Sequence, residues 1–508
     1  MMRTLYSALL ISGLSWQSAD CQGQGSSPSS ELGSTMTAEA LFGSPRPTEA
    51  KAQVAPKTSS LSVDPVAEPR PALQYRFWPR RIELKPGSAN LYAARALVSL
   101  QHVDLGWTRE AEQDGREHPF QMDFQVSPRI EDIRHYSDAV EQICNELGRL
   151  AFCEDQTRDL RIRDERGAAI FSTLLPEIQA SRSLAKALRF RIRTLALQQE
   201  YDDAIAQLLV GFRLSEYIGD GETIIERLVG NAIASMMCDE IEFLVQQPDC
   251  PNLYWALAGL PADLGDPADQ ALLEMSLMQR HLPILQMAES DDFSDEVWLA
   301  HVAKAAEDLR GLGQSDLSFV SMLQLLSDNS TPSARQSLID HGLDASVVKQ
   351  MSKIRAVLLN ANYQIAEQTD ALKKGFLLQE PMRQRVIETS DASFGKWRDE
   401  NPDSFASMLT GLLLPAVSTV NRSGIRTQLR IRRLMAVEAI RNFAANNGQL
   451  PETLEAIVDL PVPRDPFTDT AFGYSVGSET NLMSFDLSAD VPEDADFLRE
   501  LHVELRRK

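Results

Sequence analysis

From Arg182 to Ile218, apolar residues recur at three-to-four spacing: Leu184, Leu188, Ile192, Leu195, Leu197, Ile205, Leu208, Leu209, Phe212 and Leu214. The polar stretch Gln198-Gln199-Glu200 interrupts them once. A helix turns every 3.6 residues, so this spacing draws an apolar stripe down each of two helices, and the break folds them into a hairpin. A third helix is expected from Glu222 to Val245, entered through Gly219-Asp220-Gly221 and stopped ahead of Pro248. Its Gly230, Ala232, Ala234 and Ser235 are small enough to let another helix come close.

The pattern continues beyond Pro251. Helices are expected about Leu272 to Met287, Asp295 to Leu312, Leu317 to Leu326, Ser333 to His341, Ala345 to Phe376 and Arg383 to Thr389, punctuated by Gly, Pro and Asn-Asp-Ser clusters. Alternation with β-branched side chains is scarce before residue 460. The expected fold class is therefore mainly α, an irregular array of helical hairpins over 73–420, not an α/β sheet.

Residues 421–508 read differently, as a small α+β module. A basic helix from about Asn421 to Asn446 leads through Asn447-Gly448 to Asp465-Pro-Phe-Thr-Asp and Phe472-Gly-Tyr-Ser-Val, a turn feeding short strands. Asn481 to Leu487 is the expected strand partner, and the charged tail after Ser488 is expected as a last helix.

The N-terminal end carries an address. Arg3, the apolar run Leu5 to Trp16 and the small and polar residues after it have the layout of a secretory signal peptide, assigned to 1–24. The run is about a dozen residues, short of the roughly 20 that a membrane-crossing helix needs, so no transmembrane span is expected in the mature chain. Acylation at Cys21 is the lesser reading, because Ser18 and Asp20 stand where that processing prefers an aliphatic and a small residue. Residues 25–72, dense in Ser, Pro, Gly, Ala and Thr, are expected as a disordered tether, with structure opening at Leu73-Gln-Tyr-Arg-Phe-Trp. In a periplasmic or extracellular setting Cys144, Cys153, Cys238 and Cys250 allow two disulfides in three pairings, or none.

Across 508 residues, 43% hydrophobic content is enough to bury a sizeable core. The formal net charge of −22 argues against nucleic acid or an anionic membrane as the main partner, since binding a polyanion rests on Lys and Arg neutralising phosphates.

Some stretches resemble known proteins. Leu195-Ala-Leu-Gln-Gln-Glu-Tyr-Asp-Asp-Ala-Ile resembles the centre of a tetratricopeptide repeat, with Tyr201 closing the first helix, Ala204 at the tight crossing and Gln199 where a Gly is usual. The expected array is thus tetratricopeptide-like. Tyr75-Arg-Phe-Trp-Pro, Glu83-Leu-Lys-Pro-Gly, Asn252-Leu-Tyr-Trp-Ala-Leu and Ala334-Arg-Gln-Ser-Leu-Ile together resemble an uncharacterised family of exported helical proteins of planctomycete bacteria. That likeness implies fold and export, and no activity. Ala436-Val-Glu-Ala-Ile-Arg-Asn-Phe, Asn447-Gly-Gln-Leu-Pro, Asp465-Pro-Phe-Thr-Asp and Phe472-Gly-Tyr resemble the globular end of type II secretion major pseudopilins. By that resemblance Asp465 and Asp469, with Asp486 and Asp490, are candidate calcium ligands.

Motifs for chemistry are few. None of the seven His has a second His or a Cys three to five residues away, the spacing of a zinc site. The sequence carries no Gly-rich phosphate loop or nucleophile elbow, so no catalytic residue and no cofactor beyond calcium is assigned. Arg422, Arg426, Arg430 and Arg433 recur along one helix stripe and are the candidate partner-binding residues. The sequence therefore reads as an exported non-enzymatic binding or scaffold protein of the envelope, offering a helical surface to a protein or peptide partner. The alternatives are an enzyme whose site is assembled from distant helices, and a secretion-apparatus-associated protein.

Overall fold

The computed structural model describes residues 59–114, 130–158, 160–161, 164, 168–281, 283–310, 330–401, 404, 406–407, 415–477 and 483–506. The segment read as a signal peptide, Cys21, the part of the expected tether up to residue 58 and the helical pattern at 317–326 lie outside the described residues.

Mainly α with a small sheet is the architecture observed. At its centre are three helices, α3 (Ala168–Leu197), α4 (Tyr201–Gly219) and α5 (Ile224–Val245), packed on α1 (Ala89–Asp114) and α2 (Ile130–Ala151). The hairpin break between α3 and α4 falls at Gln198–Glu200, and Gln199 takes the left-handed φ of 61° there, a conformation that favours Gly. Ala204 is fully buried, and the Tyr201 hydroxyl donates to the carbonyl of Pro248.

The start of α5 is fixed by a capping box: Thr223 Oγ1 accepts from the Glu226 amide at 3.2 Å, and the Glu226 carboxylate accepts from the Thr223 amide at 3.1 Å. One turn on, Gly230 crosses α4 so closely that a Cβ there would sit 2.5 Å from the Ser215 carbonyl oxygen. The glycine is required by that approach.

After the short α6 (Tyr254–Ala258) come α7 (Ala268–His281), α8 (Pro283–Ser290) and α9 (Asp295–Arg310). The helix expected about Leu272 to Met287 is two, because Pro283 has no amide hydrogen to continue the first and so opens the second. The pattern from Ala345 also divides, into α10 (Ala345–Gln350) and α11 (Lys353–Phe376), where Met351 turns extended and Ser352 caps the second helix through the Arg355 amide at 3.2 Å. Residues 382–400 form α12 (Met382–Glu400), and α13 (Pro415–Asn447) is the basic helix. The boundary expected at 420/421 therefore falls inside one continuous helix, which packs on α5, α6 and α12.

Sheet order corrects the reading of both chain ends. Strands β1 (Ser59–Val63), β4 (Gly473–Val476), β5 (Met483–Ser488) and β6 (Glu500–Leu505) form one sheet in the order β1-β6-β5-β4, while β2 (Lys85–Ser88) and β3 (Cys153–Asp155) pair separately. The turn-and-strand expectation for β4 and β5 matches this sheet, in which they pair antiparallel. The tail forms a strand and not a helix, because Leu501, Val503 and Leu505 point inward while His502 and Glu504 alternate outward. The tether expected to reach residue 72 ends earlier: β1 lies parallel to β6 with Leu61 and Val63 buried.

Beyond β1 the chain runs as a strap across the helices. Val66 and Glu68 accept from Asn252 and Trp255, and Glu68 donates its amide to Asn442. Two terminal regions that are far apart in sequence thus share one core.

Candidate functional site

α3 carries two stripes. Leu184, Leu188, Ile192 and Leu195 form the buried apolar one, and Arg182, Lys186, Arg189 and Arg193 recur at the same three-to-four spacing to form a basic one beside it. No Asp or Glu occurs between Arg182 and Gln199.

Glu240 of α5 organises the C-terminal half of that face. It is fully buried, with Oε1 accepting from Arg189 Nε at 2.5 Å and Oε2 from Arg193 Nε at 2.6 Å. The Arg193 guanidinium also lies 4.7 Å from the centre of the Phe243 ring. Such a fork fixes both arginines against α5, because a planar guanidinium bonded to a carboxylate has little freedom left.

Lys186 stands differently. It is half-buried, and among the described residues no carboxylate pairs with it. Burial pulls its pKa below the ordinary lysine value, and the positive fields of Arg182 and Arg189 push it the same way. Burial also lowers Arg182. Keeping an ammonium partly out of water without a counter-charge costs stability, and side chains held in that state concentrate where a ligand completes the charge balance.

Other buried charges are matched within the chain. Arg158 pairs with Glu226 at 2.7 Å, Arg227 with Glu216 at 3.0 Å, and Arg383 with Asp266 at 2.5 Å. The basic stripe of α13 belongs to this class in part, since two of its four arginines, Arg430 and Arg433, turn inward. Arg430 is buried against Asp239 at 2.6 Å and Glu242 at 2.8 Å, and these carboxylates hold its pKa well above the usual arginine value against the opposing effect of burial. Arg433 is buried too, donating to the Leu498 carbonyl at 2.9 Å. Arg422 and Arg426 are half-buried on the same helix, and burial raises the pKa of nearby Asp391 against the lowering pull of Ser418 and Arg422.

The acidic residues of the C-terminal module diverge rather than converge. Asp465 is buried, its two carboxylate oxygens accepting from the amides of Phe467 at 2.8 Å and Asp490 at 3.1 Å, so it anchors the turn. Asp469 lies exposed, 3.9 Å from Arg464, and Asp486 pairs with His502 at 2.7 Å. No group of three or more His, Cys, Asp or Glu suited to a metal occurs among the described residues.

The four cysteines within the described residues are buried free thiols. Burial pushes Cys144, Cys238 and Cys250 up to about 12, so they stay protonated and unreactive near neutral pH. His502 has both ring nitrogens on carboxylates, Asp486 and Glu504, the latter at 3.7 Å. Tyr254 and Trp255 are used structurally: the Tyr254 hydroxyl donates to the Pro461 carbonyl and Trp255 Nε1 to Glu68 at 3.0 Å.

Comparison with protein-family models, curated proteins and solved structures finds no match to this chain. The site rests on its own geometry. No helix among the described residues is long and apolar enough to cross a membrane.

Proposed function

We propose that this chain is an exported binding protein of the cell envelope, whose helical array docks a protein or peptide partner through acidic groups placed on the basic face of α3. The observation that supports this is Lys186, an ammonium with no carboxylate partner among the described residues, standing between Arg182 and Arg189 in a chain of net charge −22. Stacked helical hairpins present extended surfaces suited to peptides and proteins. Export rests on residues 1–24, which have the signal-peptide layout.

A binding role also suits the chemistry of the interior. Among the described residues, the thiols are buried and protonated, and His502 is engaged by carboxylates on both nitrogens, so neither supplies an activated nucleophile or a free base. The test is recovery of partners from an envelope extract on immobilised wild-type protein and on Lys186→Glu. Loss of the bound proteins from the variant supports the reading. Identical sets on both would overturn it.

A further inference from the structure

Strand β4 is one edge of the four-stranded sheet, and its register decides which of its backbone groups are free. Just past the strand, Gly477 donates its amide to the Ser484 carbonyl at 2.8 Å. In an antiparallel ladder the residues two and four earlier, Ser475 and Gly473, then also turn their N–H and C=O groups toward β5. Tyr474 and Val476 alternate with them and turn theirs to the open side. Among the described residues nothing bonds to these outward groups. We propose that β4 is a docking edge on which an extended segment of another protein, alternating apolar and basic side chains, adds as a fifth strand. The edge shares no residue with the α3 face and gives the chain a second contact surface.

The opposite edge of the same sheet is closed. On β1 the Ser62 amide donates to Gln246 Oε1 at 3.2 Å, and Asp64 just beyond is held by Arg506 at 2.8 Å. Open edges are commonly guarded by a charge, a Pro or a bulge. Gly473-Tyr-Ser-Val carries neither charge nor Pro, and it pairs with β5 in unbroken register. Strand addition uses such an edge, with backbone bonds giving affinity and alternate side chains giving specificity.

The two faces beside β4 define what would add. On the inner face Val476 is 49% exposed, although Phe485 opposite it and Leu487 on the same face are fully buried. An apolar side chain on the incoming strand would complete that face. On the outer face Gly473 and Ser475 are small and exposed, and Asp486, His502 and Glu504 stand behind them on β5 and β6. One imidazole there faces two carboxylates, Asp486 at 2.7 Å and Glu504 at 3.7 Å. A Lys or Arg reaching over Gly473 and Ser475 meets that negative group.

A second copy of the chain is the other candidate occupant, and charge decides against it. Two chains of net charge −22 repel one another, and β4 paired with β4 brings no base to Asp486.

The probe is a short synthetic peptide alternating Val and Lys and blocked at both ends, titrated into the whole chain by fluorescence anisotropy. Saturable binding is expected, with the amides of Tyr474 and Val476 protected from hydrogen exchange in the complex and open without it. Val476→Pro removes an N–H that faces away from β5, a change that an edge strand tolerates, and should weaken binding about tenfold or more. Should that variant fail to fold, the same peptide N-methylated throughout serves in its place, because it keeps its side chains and donates no backbone bond. No saturation, equal affinity for the N-methylated peptide, or equal affinity for a peptide with Glu in place of Lys overturns the docking edge. So does protection that spares Tyr474 and Val476. Protection of these two amides that rises with protein concentration, without peptide, overturns it as well and names a second copy as the occupant. Capture of partners at Lys186 is unaffected by any of these results.

Discussion

Arg441 and Glu438, one turn apart on α13, face each other at 2.6 Å with neither side chain exposed. Arg441 also donates to the carbonyls of Asp64 at 2.8 Å and Cys250 at 3.1 Å, while Glu438 accepts from the Leu253 amide at 3.0 Å. This pair therefore ties the N-terminal strap, the segment before α6 and the long basic helix to one point.

Removing one partner leaves the other charge buried and unmatched. Arg441→Met should destabilise the protein by about 3–5 kcal/mol, and the double variant with Glu438→Gln should lose less than the sum of the single losses. Denaturant unfolding of the three variants measures this. Additive losses would mean that the two residues act independently.

The strap should be part of the cooperative fold. Val63 is fully buried in β1, and Arg506 of the opposite terminus holds Asp64 at 2.8 Å. Val63→Asp buries a carboxylate without a partner and should detach β1, raising amide hydrogen exchange along Glu500–Leu505 while α4 and α5 stay protected. Unchanged exchange in β6 would show that β1 contributes nothing to the sheet.

At the crossing of α4 and α5 there is no room for a methyl group. Gly230→Ala would bring Cβ to 2.5 Å from the Ser215 carbonyl oxygen and 2.7 Å from Gly219 Cα, both backbone atoms that cannot swing aside. A loss of about 1–3 kcal/mol is expected, seen as a lower thermal midpoint. On an exposed helix position the same change would stabilise.

Thiol chemistry gives a pH prediction. Folded Cys144, Cys238 and Cys250 hold their protons up to about 12, against 9.0 for an ordinary thiol, so between those values the folded state binds more protons than the unfolded chain. Stability should therefore be intact below about 9 and fall as pH rises through that window. A thiol reagent near neutral pH should label none of these three cysteines until the protein is unfolded. Rapid labelling of the native protein would contradict their burial.

The α3–α4–α5 hairpins were legible because burial on one face writes itself into the sequence with a helical period. β1 was not: Ser59-Ser-Leu-Ser-Val sits in a Ser-rich stretch, and its alternation has meaning only beside β6, which lies at the far end of the chain. The same holds for Glu500-Leu-His-Val-Glu-Leu, where a charged composition concealed a two-residue period. Three-to-four spacing placed Arg422, Arg426, Arg430 and Arg433 on one stripe without saying which way it faces, and Arg430 and Arg433 face Glu242 and Leu498 inside the protein. The basic face of α3 was visible as five cations without an acid from Arg182 to Gln199, but the apolar stripe interleaved with it carried the more obvious pattern. Only the structure shows that Glu240 takes Arg189 and Arg193, while among the described residues no carboxylate pairs with Lys186.

If Lys186 is the charge on which an acidic partner docks, a synthetic Asp/Glu-rich peptide should find it. Titration of that peptide against wild type, Lys186→Arg and Lys186→Glu is followed by fluorescence anisotropy at low and at physiological salt. Saturable binding by wild type and Lys186→Arg, weakened by salt and lost in Lys186→Glu, is the expected result. Equal affinity across all three proteins would contradict docking at Lys186.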